Sequence, residues 1–199
     1  GYYAAVSALD HNLGRVRAAL REAGLAENTV VIYFSDHGDT FWYRREGEHK
    51  FVCTDDSLRI PFIVEGPGIR PGSRCDLQIG LQDLAPTMLD LAGIERPSQL
   101  QGRSLLPLLR GAEPGDWRRG FYVQNITHIS AIPQRAWRTH RWPLVVSPHG
   151  AHALSELDTD PEEDWNIFPP HRPAPRLRPH QHSPHCAPQI ADPAADTAA

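Results

Sequence analysis

The stretch Asn28–Asp39, "NTVVIYFSDHGD", sets the terms on which the rest of the chain is understood. Val30–Phe34 is a short apolar run rich in β-branched residues, of the kind that forms strands buried on both faces. A polar turn follows at once. Asp36 and His37 place a carboxylate beside an imidazole, and Gly38 lets the backbone turn sharply away. In open α/β sheets ligands gather outside the carboxyl ends of strands, because the loops converge there. An acid and a histidine side by side at such an end offer oxygen and nitrogen to one cation. The segment continues as "FWYRREGEHK" to Lys50, adding Glu48, His49 and an ammonium group. It reads either as a metal and anion site or as a polar loop rich in charge.

Upstream, Val6, Leu9, Leu13, Val16 and Leu20 recur at three- and four-residue spacing, one apolar stripe on a helix. Gly24 suits the left-handed residue on which helices often end. Helix, short loop and apolar run make the α/β unit of a largely parallel sheet. Downstream, "IPFIV" (60–64) predicts a second strand that starts near Pro61, and "GPGIRPG" (66–72) a turn-rich loop. "LQDLAPTMLDLAGI" (81–94) predicts a second helix, with Asp83 as N-cap, Pro86 in the first turn and Gly93 at the close. A short helical turn and a linker cover 100–117. "RGFYVQN" (119–125) and "RAWRTHRWPLVVSP" (135–148) read as strands of a small antiparallel sheet. Pro143 lacks a backbone donor and belongs at an edge or bulge of that sheet. From Pro169 the chain is rich in proline and histidine and poor in large apolar side chains, the composition of a disordered tail.

The 199 residues suit one domain and a tail. A net charge of −4 argues against a nucleic-acid partner. Three cysteines, Cys53, Cys75 and Cys186, are too few and scattered for a disulfide framework or a zinc site. They suit a reducing compartment or an export route with free thiols. No apolar run has the length of a membrane span.

The order of these segments resembles the C-terminal part of sulfatases in the alkaline-phosphatase superfamily. The resemblance runs from "YYAAVSALDHNLGRV" through "NTVVIYFSDHGD", "EGEHK", "DDSLRIPFIVEGPGI" and "LQDLAPTMLDLAGI" to "LQGRSLLPLL". It resumes more weakly in "RAWRTHRWPLVVSP" and "LDTDPEEDWN". It implies an α/β fold, a partial alkaline-phosphatase-like sulfatase core over residues 1–115. A small antiparallel C-terminal subdomain over 116–168 and the tail 169–199 complete the division.

The resemblance also implies roles. Asp36 and His37 stand where the family keeps two calcium ligands, and His37 is a softer donor than calcium prefers. Lys50 stands where a lysine holds a sulfate oxygen and stabilises charge on the transferring group, a catalytic and substrate-binding position. His49 is left as a loop residue with at most an auxiliary role. Asp39 and Glu48 are expected to be structural, and Arg59 an ion-pair partner.

Family members of this type attack with a formylglycine made from Cys or Ser in a Cys/Ser-x-Pro-x-Arg motif. No cysteine or serine of the chain begins that motif; "SAIPQR" places Pro and Arg one position late. With no initiating methionine or leader either, the chain is expected to be part of a longer sulfatase and inactive alone. The function expected is calcium-assisted hydrolysis of a small-molecule sulfate monoester. The alternatives are a phosphonate or phosphate monoester hydrolase of the same superfamily, or a non-catalytic binding remnant.

Overall fold

Helix and strand fall close to where the apolar spacing puts them. The structure is a computed structural model, and it describes residues 1–41, 50–126, 133–148, 150 and 152–168. Helix α1 (Tyr2–Glu22) passes through Ala23 to Gly24, whose φ of 68° is the left-handed residue that ends it. Strand β1 (Val31–Phe34) follows. A one-turn helix α2 (Asp55–Leu58) precedes strand β2 (Phe62–Glu65), which begins directly after Pro61. Helix α3 (Leu84–Leu91) ends near Gly93, φ 68°, and α4 (Leu106–Leu109) is a single turn. Strands β3 (Gly120–Asn125), β4 (Gln134–Thr139), β5 (Pro143–Val146) and β6 (Ala153–Leu154) form one antiparallel sheet in sequence order.

Three strand expectations are corrected. β1 pairs with β2 antiparallel, in register from Val31 opposite Glu65 to Phe34 opposite Phe62. A parallel partner needs a long crossover, usually a helix packed on the sheet, and the helix described between these strands has four residues. β1 is also half-buried, with Phe34 exposed, and not covered on both faces. Pro143 lies neither at an edge nor at a bulge. It opens β5, an interior strand between β4 and β6, at the first strand position, which proline tolerates, and its carbonyl accepts the Ser155 N–H at 3.3 Å.

The buried apolar cluster lies where the loop before α2 meets the four-stranded sheet. Cys53, Ala136 and Val145 form it, with Leu58, Val123 and Ala153 packed around them. Burial of this cluster pushes the Cys53 thiol pKa up to about 11. A second tight point surrounds Asp83, which is fully buried. It stands at the N-cap position of α3, yet its carboxylate does not cap that helix. It accepts the Gly80 N–H at 2.9 Å and the Arg103 N–H at 2.8 Å, and takes the Arg118 fork at 2.5 and 2.7 Å. The Arg118 guanidinium in turn lies over the rings of Trp117 and Phe121. The tail from Pro169 onward lies outside the described residues.

Candidate functional site

Strand β1 delivers Ser35, Asp36 and His37 to its carboxyl end, and the local chain folds on itself there. The Asp36 carboxylate accepts the His37 N–H at 3.0 Å, and the Ser35 hydroxyl donates to the His37 carbonyl at 2.7 Å. His37 Nδ1 lies 2.7 Å from the Gly38 carbonyl. A backbone carbonyl at that distance takes the Nδ1 proton, which leaves Nε2 with its lone pair. Lys50 Nζ meets that lone pair at 2.7 Å. Asp36 Oδ2 lies 3.3 Å from the same ring nitrogen. The three residues singled out in the sequence therefore meet at one point, although 13 positions separate His37 from Lys50.

The turn depends on Gly38 for space and not for an unusual dihedral. A Cβ there would stand 1.8 Å from the Asp56 carbonyl oxygen. The Gly38 N–H donates to the Ser57 carbonyl at 2.8 Å, so this turn is seated directly on α2. The hydroxyls of Thr40 and Ser57 are buried and find no partner among the described residues, which leaves polar ground beside the turn. Asp39 accepts the Phe41 N–H at 2.7 Å, a structural use of its carboxylate.

The charge balance suits ligands of both signs. Desolvation is the largest single influence on Asp36 and opposes its ionisation. The His37 amide and the Lys50 ammonium oppose it, and the balance holds the carboxyl below the ordinary aspartate range. Asp36 is 80% exposed and stays ionised, ready to meet a cation. Its oxygen is the hard donor that calcium takes. His37 is oriented as metal-ligating histidines usually are, with one ring nitrogen bonded to a carbonyl and the other free of its proton. These two residues fit a cation as part of a ligand set. Among the described residues no group of three or more His, Cys, Asp or Glu is arranged to complete one.

His49 and Glu48 lie outside the described residues. Arg59 is exposed where α2 ends. What the sequence did not disclose is the set of residues that hold the Lys50 loop. Cys53 N–H donates to Gln134 Oε1 at 2.9 Å, and Asp55 N–H to Glu163 Oε2 at 2.6 Å. Arg138 grips the Asp55 carboxylate with two bonds of 2.7 Å. Glu163 adopts a left-handed φ of 55°, uncommon for a residue with a side chain. Asp55 and Arg138 are 83 positions apart, a separation no local pattern bridges.

Comparison with known proteins finds one family. Residues 1–94 match the sulfatase family. Arylsulfatase K of Danio rerio is 41% identical over 176 residues, which covers 83% of this chain and 33% of that protein. Arylsulfatase K of Bos taurus is 33% identical over 175 residues, again covering 83% of this chain and 32% of the relative. The chain thus spans about a third of the length of the curated relatives it matches. Among solved structures, one protein in complex with its substrate D-glucosamine-2-N,6-O-disulfate superposes with a TM-score of 0.73. The two are 31% identical, over 82% of this chain and 34% of the other. A phosphonate monoester hydrolase of Agrobacterium radiobacter superposes at 0.71 with 26% identity, over 83% of this chain and 36% of the other.

Proposed function

We propose, for a chain that belongs to the sulfatase family over residues 1–94, that it supplies the Asp36–His37–Lys50 part of a sulfuric ester hydrolase site. The family makes it a sulfatase-like hydrolase. The substrate class we assign is a small-molecule sulfate monoester. One observation carries the reading: Lys50 Nζ stands 2.7 Å from His37 Nε2, with the Asp36 carboxylate against the same ring. A group that attracts an anion and a pair that attracts a cation then share one strand end.

In this reading Lys50 takes a sulfate oxygen as a compact point charge and stabilises charge that develops on the group being transferred. Asp36 and His37 are the residues that would hold calcium, and Lys50 is the group that would meet the sulfate beside them. Calcium, when bound, supplies Lewis-acid polarisation of the sulfate group. The formylglycine nucleophile is expected from a Cys/Ser-x-Pro-x-Arg motif, which these 199 residues do not contain, so the chain alone should not turn over.

The likeness to a phosphonate monoester hydrolase favours one second reading, phosphonate or phosphate monoester hydrolysis at the same residues. Both ester types present tetrahedral anions of similar size, and Asp36, His37 and Lys50 do not separate them.

Titration calorimetry of the purified chain tests the reading. Inorganic sulfate should bind more weakly to the Lys50→Met variant by about tenfold, or about 1.4 kcal/mol. The heat of calcium binding should vanish in Asp36→Asn. Sulfate affinity indifferent to Lys50→Met would sink the assignment. Turnover of an aryl sulfate by the chain, lost in Asp36→Asn, would overturn its expected inactivity.

A further inference from the structure

We infer that Arg138 is a positioning residue: by clamping Asp55 from the four-stranded sheet, it sets where Lys50 stands relative to Asp36 and His37. The proposal deepens the reading above, since the spacing matters for chemistry only if those three residues form the site.

The loop from Lys50 to Leu58 joins the two regions. At its start the Lys50 ammonium reaches His37 Nε2. At its far end the Ser57 carbonyl accepts the Gly38 N–H, and the Asp56 carbonyl lies where a Cβ on Gly38 would be. The loop thus touches the Asp36–His37 turn twice, once through a side chain and once through its backbone. Between those contacts it is fastened to the sheet. Val52 and Cys53 are buried, and Cys53 packs on Ala136 and Val145. Gln134 holds the Cys53 amide, Glu163 holds the Asp55 amide, and the Arg138 fork holds the Asp55 carboxylate.

Of these ties the Arg138 fork is the strongest and the most directional. It is bidentate and charge-assisted, both side chains are less than a fifth exposed, and a planar fork fixes orientation as well as distance. Arg138 also donates to the Thr139 carbonyl, which anchors its guanidinium to β4 itself. Arg138 touches neither Asp36 nor Lys50 among the contacts described. Its effect on them passes through Asp55 and the backbone of α2.

The 15N spectrum of histidine side chains in the labelled full chain, at one fixed pH, tests this. Lys50→Met gives the reference position of the His37 Nε2 resonance without the lysine contact. In Arg138→Gln the resonance should move most of the way to that position, and in Arg138→Lys, which keeps the charge but not the fork, part of the way. Arg118→Gln is the control, because it breaks the other buried bidentate pair, at Asp83. It should leave His37 at its wild-type position. The proposal fails if both Arg138 variants keep the wild-type resonance, or if Arg118→Gln moves it equally. Should Arg138→Gln not fold, the Arg138→Lys shift alone decides. Failure of sulfate to bind the wild-type chain would remove the assigned chemistry and leave this geometric result untouched, so the two are separable.

Discussion

The α1–β1–β2 layer and the four-stranded sheet carry similar apolar patterns and use them differently. Helix α1 has 21 residues and none is buried; Val6, Leu9 and Val16 are each about half exposed. Its described ties are peripheral: Arg17 to Glu65 at 2.5 Å, and the Tyr2 ring edge-on to Phe41 at 4.9 Å. The four-stranded sheet buries Ala136 and Val145, and draws Cys53 in from the site loop. An apolar stripe specifies a helix, but burial comes only from what packs on it. The candidate site straddles the difference. Asp36 and His37 ride on the lightly covered layer, while Lys50 belongs to a loop fastened to the cored one.

The comparison breaks first at Asp83 if stability does not reside in the buried pairs. Asp83→Ala leaves Arg118 without its partner and orphans the Gly80 and Arg103 amides. The loss should be about 3–5 kcal/mol, as for other buried pairs from which one member is removed. Urea unfolding of wild type and variant measures it, and a loss below about 1 kcal/mol would show that this network is dispensable.

Alkaline pH probes the cored region separately. Above pH 9.0 the thiol of the unfolded chain ionises, while folded Cys53 keeps its proton until about 11. The unfolded state therefore loses protons first, and stability falls across that window by about 2–3 kcal/mol, having been fully present below it. Cys53→Ala should lack this part of the slope, with exposed Cys75 left in place as the comparison thiol. A slope unchanged in Cys53→Ala would mean that water reaches the cluster.

Gly38→Ala tests the seam between the two regions. The added methyl meets a backbone oxygen, so the turn or α2 must shift, at a cost of about 1–3 kcal/mol. The Ser57 and Gly38 amide resonances should move with it. A variant that matches wild type in both stability and spectrum would show that the two segments are not in contact.

How far the sequence reached follows the range of each interaction. β1, β2 and α3 were legible because their signals are local: an apolar run, a proline at a strand start, a glycine at a helix end. Asp36, His37 and Lys50 were legible through the order of motifs around them. The Asp55–Arg138 clamp was not, since nothing in "CTDDSL" points to an arginine 83 residues away. Asp83 reads as a helix cap on its local pattern, and three partners beyond that helix claim its oxygens instead. The parallel sheet that the helix, short loop and "VVIYF" suggest assumes that such a run is covered on both faces. Hydrophobicity shows that a strand can be buried, not that anything lies on it.

The smallest effect is expected in α1, and it bears most directly on the contrast. Leu9 is 53% exposed, and Leu→Gln hardly changes intrinsic helix preference. Leu9→Gln should therefore alter the stability of the chain by less than about 0.5 kcal/mol. Hydrogen exchange should agree: the amides of α1 open by local fraying and exchange early, while those of β4 and β5 wait for larger openings. A helix of this length gains little from propensity alone, so weak protection is what sparse packing dictates. A loss above about 1 kcal/mol in Leu9→Gln, or protection in α1 equal to that in β4, would mean that the stripe is covered. Both layers would then be cored, and the site would rest on two fixed walls instead of one.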